Sequence, residues 1–221
     1  MSFCRKETFS PLVSMLTVAM MLMLAPGASA QSFQYPEYEG MDEIAVSHQG
    51  ALPNIIDYAN AFLSSFVDKT EFYGKVYADW QKYLQAPDTD NTFCVDTKNA
   101  YMHYELVRPE PDDTLVFEMC YWNCADRKRR LVCANSYMRV EGDFGYDDYI
   151  GTYFYVYDNA TGIMREVLAE DIGALYDGDG LSVFFLPRKG TTIKVSAAGA
   201  GERWNEVLKW NGYTFRSKRV R

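Results

Sequence analysis

Histidine is the first side chain to consider for acid–base chemistry, and His103 is one of two in the chain. It lies in Ala100–Val107, where the alternation of side chains predicts a β-strand. In that strand His103 shares a face with Tyr101 and Glu105, so Glu105 could orient the imidazole of a general base. A half-exposed strand histidine has the same surroundings without a catalytic role. No G-x-S-x-G motif accompanies a serine. We therefore assign no catalytic residue, and an enzyme is not the favoured interpretation.

Four cysteines follow the first thirty residues: Cys94, Cys120, Cys124 and Cys133. The separation of Cys120 and Cys124 matches neither a zinc knuckle nor the C-x-x-C motif of redox enzymes, so no metal ligand is assigned. An even number of cysteines in an exported chain favours structural disulfides, and four cysteines allow three pairings.

A predicted hairpin narrows the choice of pairing. Leu115–Cys124 and Arg129–Met138 have the composition of strands joined by a polar turn, which puts Cys120 opposite Cys133. Directly opposed residues in an antiparallel pair have Cβ atoms within disulfide reach. The two expected bridges are Cys120–Cys133 and Cys94–Cys124.

Acidic loops could hold calcium, because clustered carboxylates supply the six to eight oxygens that this ion takes. None of the loops matches an EF-hand, and Asp-Gly pairs are also ordinary turn residues, so no cofactor is expected, with calcium as the alternative. Two carboxylates could equally serve glycoside hydrolysis, but no particular pair stands out. The loops are Asp88–Asp90, Glu141–Asp148 and Asp177–Gly180.

Aromatic residues are abundant, with 17 Tyr, 13 Phe and 4 Trp. An exposed subset could stack on sugars or form a protein-binding patch, since aromatic residues dominate interface hot spots. The same residues can simply fill a β-sheet core. Trp122, Trp204 and Trp210 are the candidate ligand contacts, but a core position is the favoured interpretation for each.

The first thirty residues have the pattern of a cleaved secretory signal peptide. Arg5 and Lys6 precede an apolar run, Leu12–Leu24, and Ala28-Ser29-Ala30 forms a cleavage site before Gln31. The run is too short to span a bilayer well. We therefore expect export, and the segment takes no part in the fold.

The expected mature chain is acidic. Removing 30 of the 221 residues leaves 191, and the formal charge changes from −8 to −9 because the segment holds two basic side chains and one acidic one. This length suits one domain. Its acidity argues against nucleic acid or anionic membranes as partners. The chain has no second long apolar run, so no transmembrane segment is predicted in the mature protein. The expected partner is an unknown protein or a glycan.

Two helices are predicted near the start of the mature chain. Residues 31–52 are acidic and aperiodic, which indicates an extended lead-in. Asn54 can cap a helix that runs to about Val67. A second helix follows Thr70 and ends at Pro87. Its predicted apolar stripe consists of Tyr73, Tyr77, Trp80 and Leu84.

After the second helix the period of the pattern changes from 3.6 to 2, and hairpins follow one another. In the last of them, Asn211-Gly212 predicts a two-residue type I′ turn that pairs Trp210 with Tyr213 and Leu208 with Phe215. Val207, Arg203, Lys209 and Arg216 would then lie on the opposite face, while the basic tail 216–221 has the composition of a frayed terminus. The expected fold class is α+β, with two N-terminal helices packed on a mainly antiparallel sheet in one domain, 53–221. Further strands are expected at Phe93–Asp96, Tyr149–Tyr157, Met164–Leu168, Leu181–Leu186 and Thr191–Ser196.

The chain resembles uncharacterised exported proteins of gut Bacteroidetes that contain a domain of unknown function. The resemblance covers about half of the mature chain and implies the periplasm or cell exterior of a Gram-negative bacterium, with no indication of a substrate. The matching phrases are Asp96 with Asn99-Ala100-Tyr101, Cys120-Tyr121-Trp122-Asn123, Leu186-Pro187 with Lys189-Gly190, and Leu208–Gly212 with Phe215.

These observations favour an exported, disulfide-stabilised binding or interaction module of unknown ligand. A small extracytoplasmic hydrolase that acts on glycans through two carboxylates is the first alternative. A structural accessory protein of the cell envelope is the second.

Overall fold

A computed structural model describes residues 41–87, 92–108, 113–140, 151–175, 182–197, 203–204 and 206–220, and the backbone alone of 143–145. The predicted signal peptide, the first part of the lead-in and the acidic loops 88–90 and 177–180 lie outside these residues. All described residues belong to one unit, Tyr35–Arg221.

Helix α1, Ile55–Phe66, begins where the sequence predicts. The Asn54 side chain accepts a hydrogen bond from the N–H of Ile56 at 2.8 Å, and the Asp57 carboxylate accepts one from the N–H of Asn54, also at 2.8 Å. These two bonds satisfy donors that the first turn of a helix leaves unpaired.

Helix α2, Glu71–Gln85, begins at Thr70, whose hydroxyl accepts from the N–H of Tyr73. Its buried stripe differs from the predicted one, because Leu84 is exposed and Asp79 takes an inward position. Asp79 is tolerated there because Lys75 and Lys82 on the same helix, and the hydroxyl of Tyr104, bond its carboxylate. In the part of the chain that the structure describes, neither helix is long and apolar enough to cross a membrane.

The remaining elements are strands that pair only with antiparallel neighbours. The α+β class with antiparallel sheets is therefore confirmed. The strands are β1 (Glu43–Ala45), β2 (Phe93–Asp96), β3 (Tyr101–Arg108), β4 (Asp113–Asn123), β5 (Arg129–Val140), β6 (Asp143–Gly145), β7 (Thr152–Asp158), β8 (Ile163–Val167), β9 (Ser182–Phe185), β10 (Thr192–Ala197), β11 (Glu206–Trp210) and β12 (Phe215–Arg219).

The strands form two sheets. The large sheet has the order β1-β8-β7-β5-β4-β3-β2, with β6 paired to β5, and the small sheet has the order β12-β11-β10-β9. The lead-in was predicted to be extended and aperiodic, and over Glu43–Ala45 its extended backbone forms β1, which pairs with β8. Its alternating burial, with only Ile44 inward, is too short a pattern to stand out in the sequence.

Each face of the large sheet supports its own core, because successive side chains of a strand point to opposite faces. On one face α1 and α2 pack against the sheet, as the stacked rings of Phe62 and Phe117 show. On the other face Trp122 and Phe154 of the large sheet pack with Phe215 of the small sheet. The inner face of the small sheet therefore contributes to this second core, and its buried Glu206 accepts a hydrogen bond from the Ser217 hydroxyl.

The last hairpin differs from the prediction. Trp210 pairs with Phe215, so the connection has four residues instead of two. The Asn211 carboxamide oxygen accepts from the N–H groups of Tyr213 and Thr214, at 2.9 and 3.0 Å, which closes a wider loop. Phe215 then occupies the core position, and Tyr213 stays exposed. The basic tail is correspondingly strand β12, not a frayed end, over Phe215–Arg219.

Gly173 anchors the segment after β8 to the start of β12. It has a φ of +66°, and a Cβ there would lie 2.6 Å from Oγ1 of Thr214 and 2.8 Å from the carbonyl oxygen of Phe215. The neighbouring carbonyl of Ile172 accepts from the N–H of Phe215 at 2.7 Å. Only glycine fits this close approach.

Candidate functional site

The residues with acid–base chemistry meet on the face of the large sheet that the small sheet covers in part. Tyr101, His103 and Glu105 alternate along β3, and Glu118 of β4 lies directly opposite His103. The predicted shared face of the three β3 residues is confirmed. Arg139 of β5 completes what we call the histidine cluster, these five residues.

Glu118 is the buried centre of the cluster, with 7% of its side chain exposed. Its carboxylate accepts from the Tyr101 hydroxyl at 2.8 Å and from the backbone N–H of Leu186 at 3.0 Å. It also lies 3.4 Å from Nδ1 of His103. A buried carboxylate needs such donors to offset the loss of water. Through Leu186 it also ties the end of β9 to the large sheet.

His103 lies between two carboxylates. Its Nε2 is 3.1 Å from Oε1 of Glu105, and its Nδ1 faces both Glu118 and the Tyr101 hydroxyl, the latter at 3.3 Å. Burial alone lowers the pKa of His103, but the hydrogen bonds and charges of Glu118 and Glu105 outweigh it and raise that pKa. The cluster therefore favours the imidazolium form.

The charges reinforce one another across the cluster. Burial works to raise the pKa of Glu105, but the His103 hydrogen bond and the Arg139 guanidinium together lower it. For Tyr101, burial and the nearby charge of Glu118 both raise the pKa, so its hydroxyl remains a donor. Each charged group of the histidine cluster therefore has a partner of opposite charge within the cluster.

The same geometry limits what the cluster can catalyse. Both ring nitrogens of His103 face groups of the cluster itself, Glu105 on one side and Glu118 with the Tyr101 hydroxyl on the other, so neither is open to accept a proton from a nucleophile. The imidazole of His103 also occupies the space between Glu105 and Glu118. A glycosidic bond would have to lie in that space for the two carboxylates to act on it.

Two further side chains border the cluster on edge strand β2. Cys94 is directly opposite His103 in the strand pairing and is exposed. Asp96 accepts from Nε of Arg188 at 2.9 Å and from the side chain of Asn99 at 2.8 Å. These bonds to Asn99 and Arg188 hold the pKa of Asp96 at about 2. They also fix the loop after β9 beside the cluster.

The structure gives Cys94, Cys120, Cys124 and Cys133 as free thiols. The predicted hairpin register is confirmed, with Cys120 opposite Cys133 and Trp122 opposite Leu131. The Cys124 N–H donates to the Arg129 carbonyl. By alternation, Cys120 and Cys133 then form a hydrogen-bonded pair, whose Cα atoms lie about 5.5 Å apart. This separation is within the range for disulfides, so the Cys120–Cys133 bridge stays a prediction.

The second predicted bridge does not fit this sheet. Cys94 lies in the same row as Glu118, since both are in line with His103. Cys124 is six residues beyond Glu118 on the adjoining strand, or about 20 Å along it. A disulfide needs Cα atoms within about 7 Å. Cys94 and Cys124 were paired only as the two cysteines left over from the first bridge, and the sequence alone does not give their distance along the strands.

Two of the three candidate tryptophans are core residues. Trp122 and Trp210 are 6% and 4% exposed, and their indole N–H groups donate to the carbonyls of Gly190 and Asn123. Both rings lie between the two sheets, in the core position that the sequence favours, and the candidate ligand contact at these two residues is wrong. Trp204 is half-buried instead. Its ring packs edge-on against Phe185, with 4.5 Å between centroids.

The outer face of the small sheet carries a group of cations that we call the basic face: Lys194, Lys209, Arg216 and Lys218. All four are exposed. Apolar residues alternate with Lys194 on β10 and with Lys209 on β11 and face the core, and Phe215 does the same beside Arg216 on β12, so β-sheet geometry directs the cations outward. Among the described residues none of the four forms an ion pair, and the Nζ of Lys194 lies 4.8 Å from the centre of the Trp204 ring.

The strand pairing fixes the arrangement of the basic face. Lys209 of β11 is directly opposite Arg216 of β12. Val207 lies between Lys194 of β10 and Lys218 of β12. Directly opposed side chains start about 5 Å apart and diagonal ones about 7–8 Å apart. The four charges therefore form one patch around Val207.

The sequence predicted part of the histidine cluster and part of the basic face. It placed Lys209 and Arg216 on one face, but Lys194 joins them only through the β10–β11 pairing, which the hairpin patterns did not reveal. Glu118 escaped notice because it sits in an otherwise apolar strand. The alternation around Lys194, between Ile193 and Val195, was the available signal for an outward cation.

No family model, no curated protein and no solved structure matches this chain. Among the residues that are described, no group of three or more His, Cys, Asp or Glu side chains could hold a metal ion. Of the acidic loop Glu141–Asp148, only the backbone of β6 is described.

Proposed function

We propose that the protein is an exported binding module that contacts its ligand through the basic face of the small sheet. The observation that carries the proposal is the set of four exposed cations without ion-pair partners among the described residues. The whole chain has a formal charge of −8, so this patch is opposite in sign to the rest of the molecule. Charge of one sign on an exposed face attracts partners of the other sign.

Stability does not account for the basic face. Like charges directly opposite in a sheet destabilise it, and Lys209 faces Arg216. Charged residues often protect an edge strand from pairing with another chain, which would account for Lys218 and Arg216 on β12. Lys194 and Lys209, however, lie on the inner strands β10 and β11. A ligand-binding role accounts for the two cations on the edge strand and for the two on the inner strands.

A glycan hydrolase is the weaker candidate. The carboxylates that the structure brings together, Glu105 and Glu118, are separated by the imidazole of His103 and bonded to it. Their hydrogen bonds stabilise the junction between the sheets and leave no cleft between them. A structural accessory role in the cell envelope would need no exposed unpaired cations.

Export belongs to the same proposal. The pattern of the first thirty residues and the resemblance to exported Bacteroidetes proteins support release into the periplasm or cell exterior of a Gram-negative bacterium. Cell fractionation followed by N-terminal sequencing tests it. A mature protein that starts at Gln31 outside the cytoplasm is the expected result, and an intact N-terminus in the cytoplasmic fraction would contradict it.

The binding function is tested with the purified mature protein and a panel of immobilised neutral and charged glycans and peptides. We expect the wild type to bind at least one panel member in a salt-sensitive way, and the double variant Lys209→Glu/Arg216→Glu to bind it more weakly. Lys98→Glu is the single-charge control, because Lys98 is exposed on the turn after β2 of the large sheet and is not part of the basic face. Absence of binding to every panel member, or release of reducing sugar ends from a glycan, would overturn the proposal.

A further inference from the structure

We infer that the partner of the basic face is a linear acidic polysaccharide, a chain that carries carboxylate or sulfate groups along its length. The inference rests on the proposed binding function and adds the chemistry of the ligand. Three features of the described residues support it: the shape of the surface, the spacing of the charges and the indole beside them.

The shape favours a chain over a small molecule. Sites for small ligands are concave and bury most of the ligand. The basic face is instead the outer surface of a sheet, with its cations exposed on three adjacent strands, β10, β11 and β12. A polymer that lies across the strands can contact such a surface at several points without being enclosed.

The spacing of the charges suits repeated anionic groups. Along the path Lys194, Lys209, Arg216, the first step is a diagonal of about 7–8 Å and the second a direct pair of about 5 Å. Lys218 lies one diagonal from Lys209. Long, flexible lysine side chains can adjust to different positions of the anions, whereas Arg216 offers a planar fork that matches a carboxylate or sulfate.

Trp204 supplies a contact that a purely ionic partner would not need. Its half-buried indole packs on Phe185 and lies beside the Nζ of Lys194. An aromatic ring held rigidly at the border of a charged patch can pack against the apolar face of a sugar ring while the cations bind its acidic groups.

The charge balance disfavours the other common polyanions. Duplex nucleic acid and anionic bilayers present charge over a wide area and would also face the acidic remainder of this protein, whereas a single chain can follow the basic face alone. Four cations on one narrow face match a single chain. Nucleic acid and lipid surfaces are therefore included as competing outcomes of the test.

The test measures affinity calorimetrically for polygalacturonate and chondroitin sulfate, with neutral dextran, a single-stranded oligonucleotide and phosphatidylglycerol vesicles as comparison probes. We expect an acidic polysaccharide to bind and dextran not to bind. If four cations each displace a counterion as they do on single-stranded polyanions, raising the salt from about 50 to 200 mM weakens binding about 50-fold.

Variants locate the contact. Lys209→Glu/Arg216→Glu should weaken polysaccharide binding more than about tenfold, which is about 1.4 kcal/mol. Lys209→Arg should retain binding, and Lys98→Glu should leave it unchanged. Trp204→Ala should weaken binding without changing its dependence on salt, because the indole displaces no counterion. Circular dichroism of each variant establishes that the fold is retained.

The possible failures are distinguishable. If the oligonucleotide or the vesicles bind and the acidic polysaccharides do not, the ligand class is wrong and the binding function stands. If a neutral glycan binds the wild type and the basic-face variants equally, both the ligand class and the basic face as its binding site are wrong. If no probe and no member of the wider panel binds, the proposed function fails together with this inference.

Discussion

Replacing Glu118 by Gln tests whether the histidine cluster holds the two sheets together. The substitution keeps the shape of the side chain but removes its charge and turns one acceptor oxygen into a donor. The carboxylate now serves three donors: the Tyr101 hydroxyl at 2.8 Å, the Leu186 N–H at 3.0 Å and Nδ1 of His103 at 3.4 Å. At least one of them would face another donor in a site that is 7% exposed.

The expected loss can be worked from these contacts. An unsatisfied buried polar group costs about 1–3 kcal/mol, and hydrogen bonds to a charged acceptor contribute more than neutral ones. We expect Glu118→Gln to lower the free energy of unfolding by about 2–3 kcal/mol. For a chain of this size, each kcal/mol shifts the Tm by about 2–4 °C, so the Tm should fall by about 5–10 °C.

Glu105→Gln is the matched control, because it makes the same chemical change to a glutamate bonded to the same histidine. The side chain of Glu105 is 39% exposed and pairs with Arg139 at 3.4 Å. Exposed pairs contribute about 0–1 kcal/mol. Urea unfolding at neutral pH, followed by tryptophan fluorescence, measures both variants. Equal losses, or a loss below about 0.5 kcal/mol for Glu118→Gln, would refute the assignment of Glu118 as the buried centre of the network.

Three further predictions concern single residues. The raised pKa of His103 means that its contribution to stability is complete below about pH 6.5, its ordinary pKa, and is lost as the pH rises through its pKa in the folded protein. The difference in unfolding free energy between wild type and His103→Asn should therefore shrink from pH 5 to pH 9, and a constant difference would contradict this. Lys209→Glu should raise the Tm by about 1–3 °C, because an opposed pair of unlike charges with Arg216 contributes about 0.2–1 kcal/mol; a lower Tm in calorimetry would count against the like-charge cost. Gly173→Ala should lower the free energy of unfolding by at least about 3 kcal/mol, measured by chemical unfolding. Gly162→Ala should lower it by about 1 kcal/mol, because Gly162 has a similar φ but open space for a Cβ. Similar losses would show that backbone strain alone matters.

Local patterns predicted the elements that local interactions determine. The cap at Asn54 and the hairpin that places Cys120 opposite Cys133 both follow from a few neighbouring residues, and both are confirmed. The face shared by Tyr101 and His103 follows from the period of a strand, and it is confirmed as well.

Distant contacts determine what the sequence did not predict. The last hairpin has a wide loop because the hydroxyl of Thr214 donates to the carbonyl of Ile172, 42 residues earlier, while Asn211 closes the turn with its side chain. Glu118 is satisfied in a buried position because the N–H of Leu186, just after β9, joins Tyr101 and His103 of β3 at its carboxylate. Lys194 joins the basic face through a pairing across the connection from β10 to β11. No local pattern encodes such contacts.

Because the large sheet carries a core on each face, its two cores are completed at different times during synthesis. A growing chain emerges from its N-terminus, so α1, α2 and the strands through β8 can assemble before the small sheet has been translated. Throughout that interval Trp122 and Phe154 lack the Phe215 ring that packs on both, because this residue is near the C-terminus. A nascent or truncated protein therefore exposes a broad apolar surface, and a ribosome that stalls before β12 releases a substrate for chaperones and proteases.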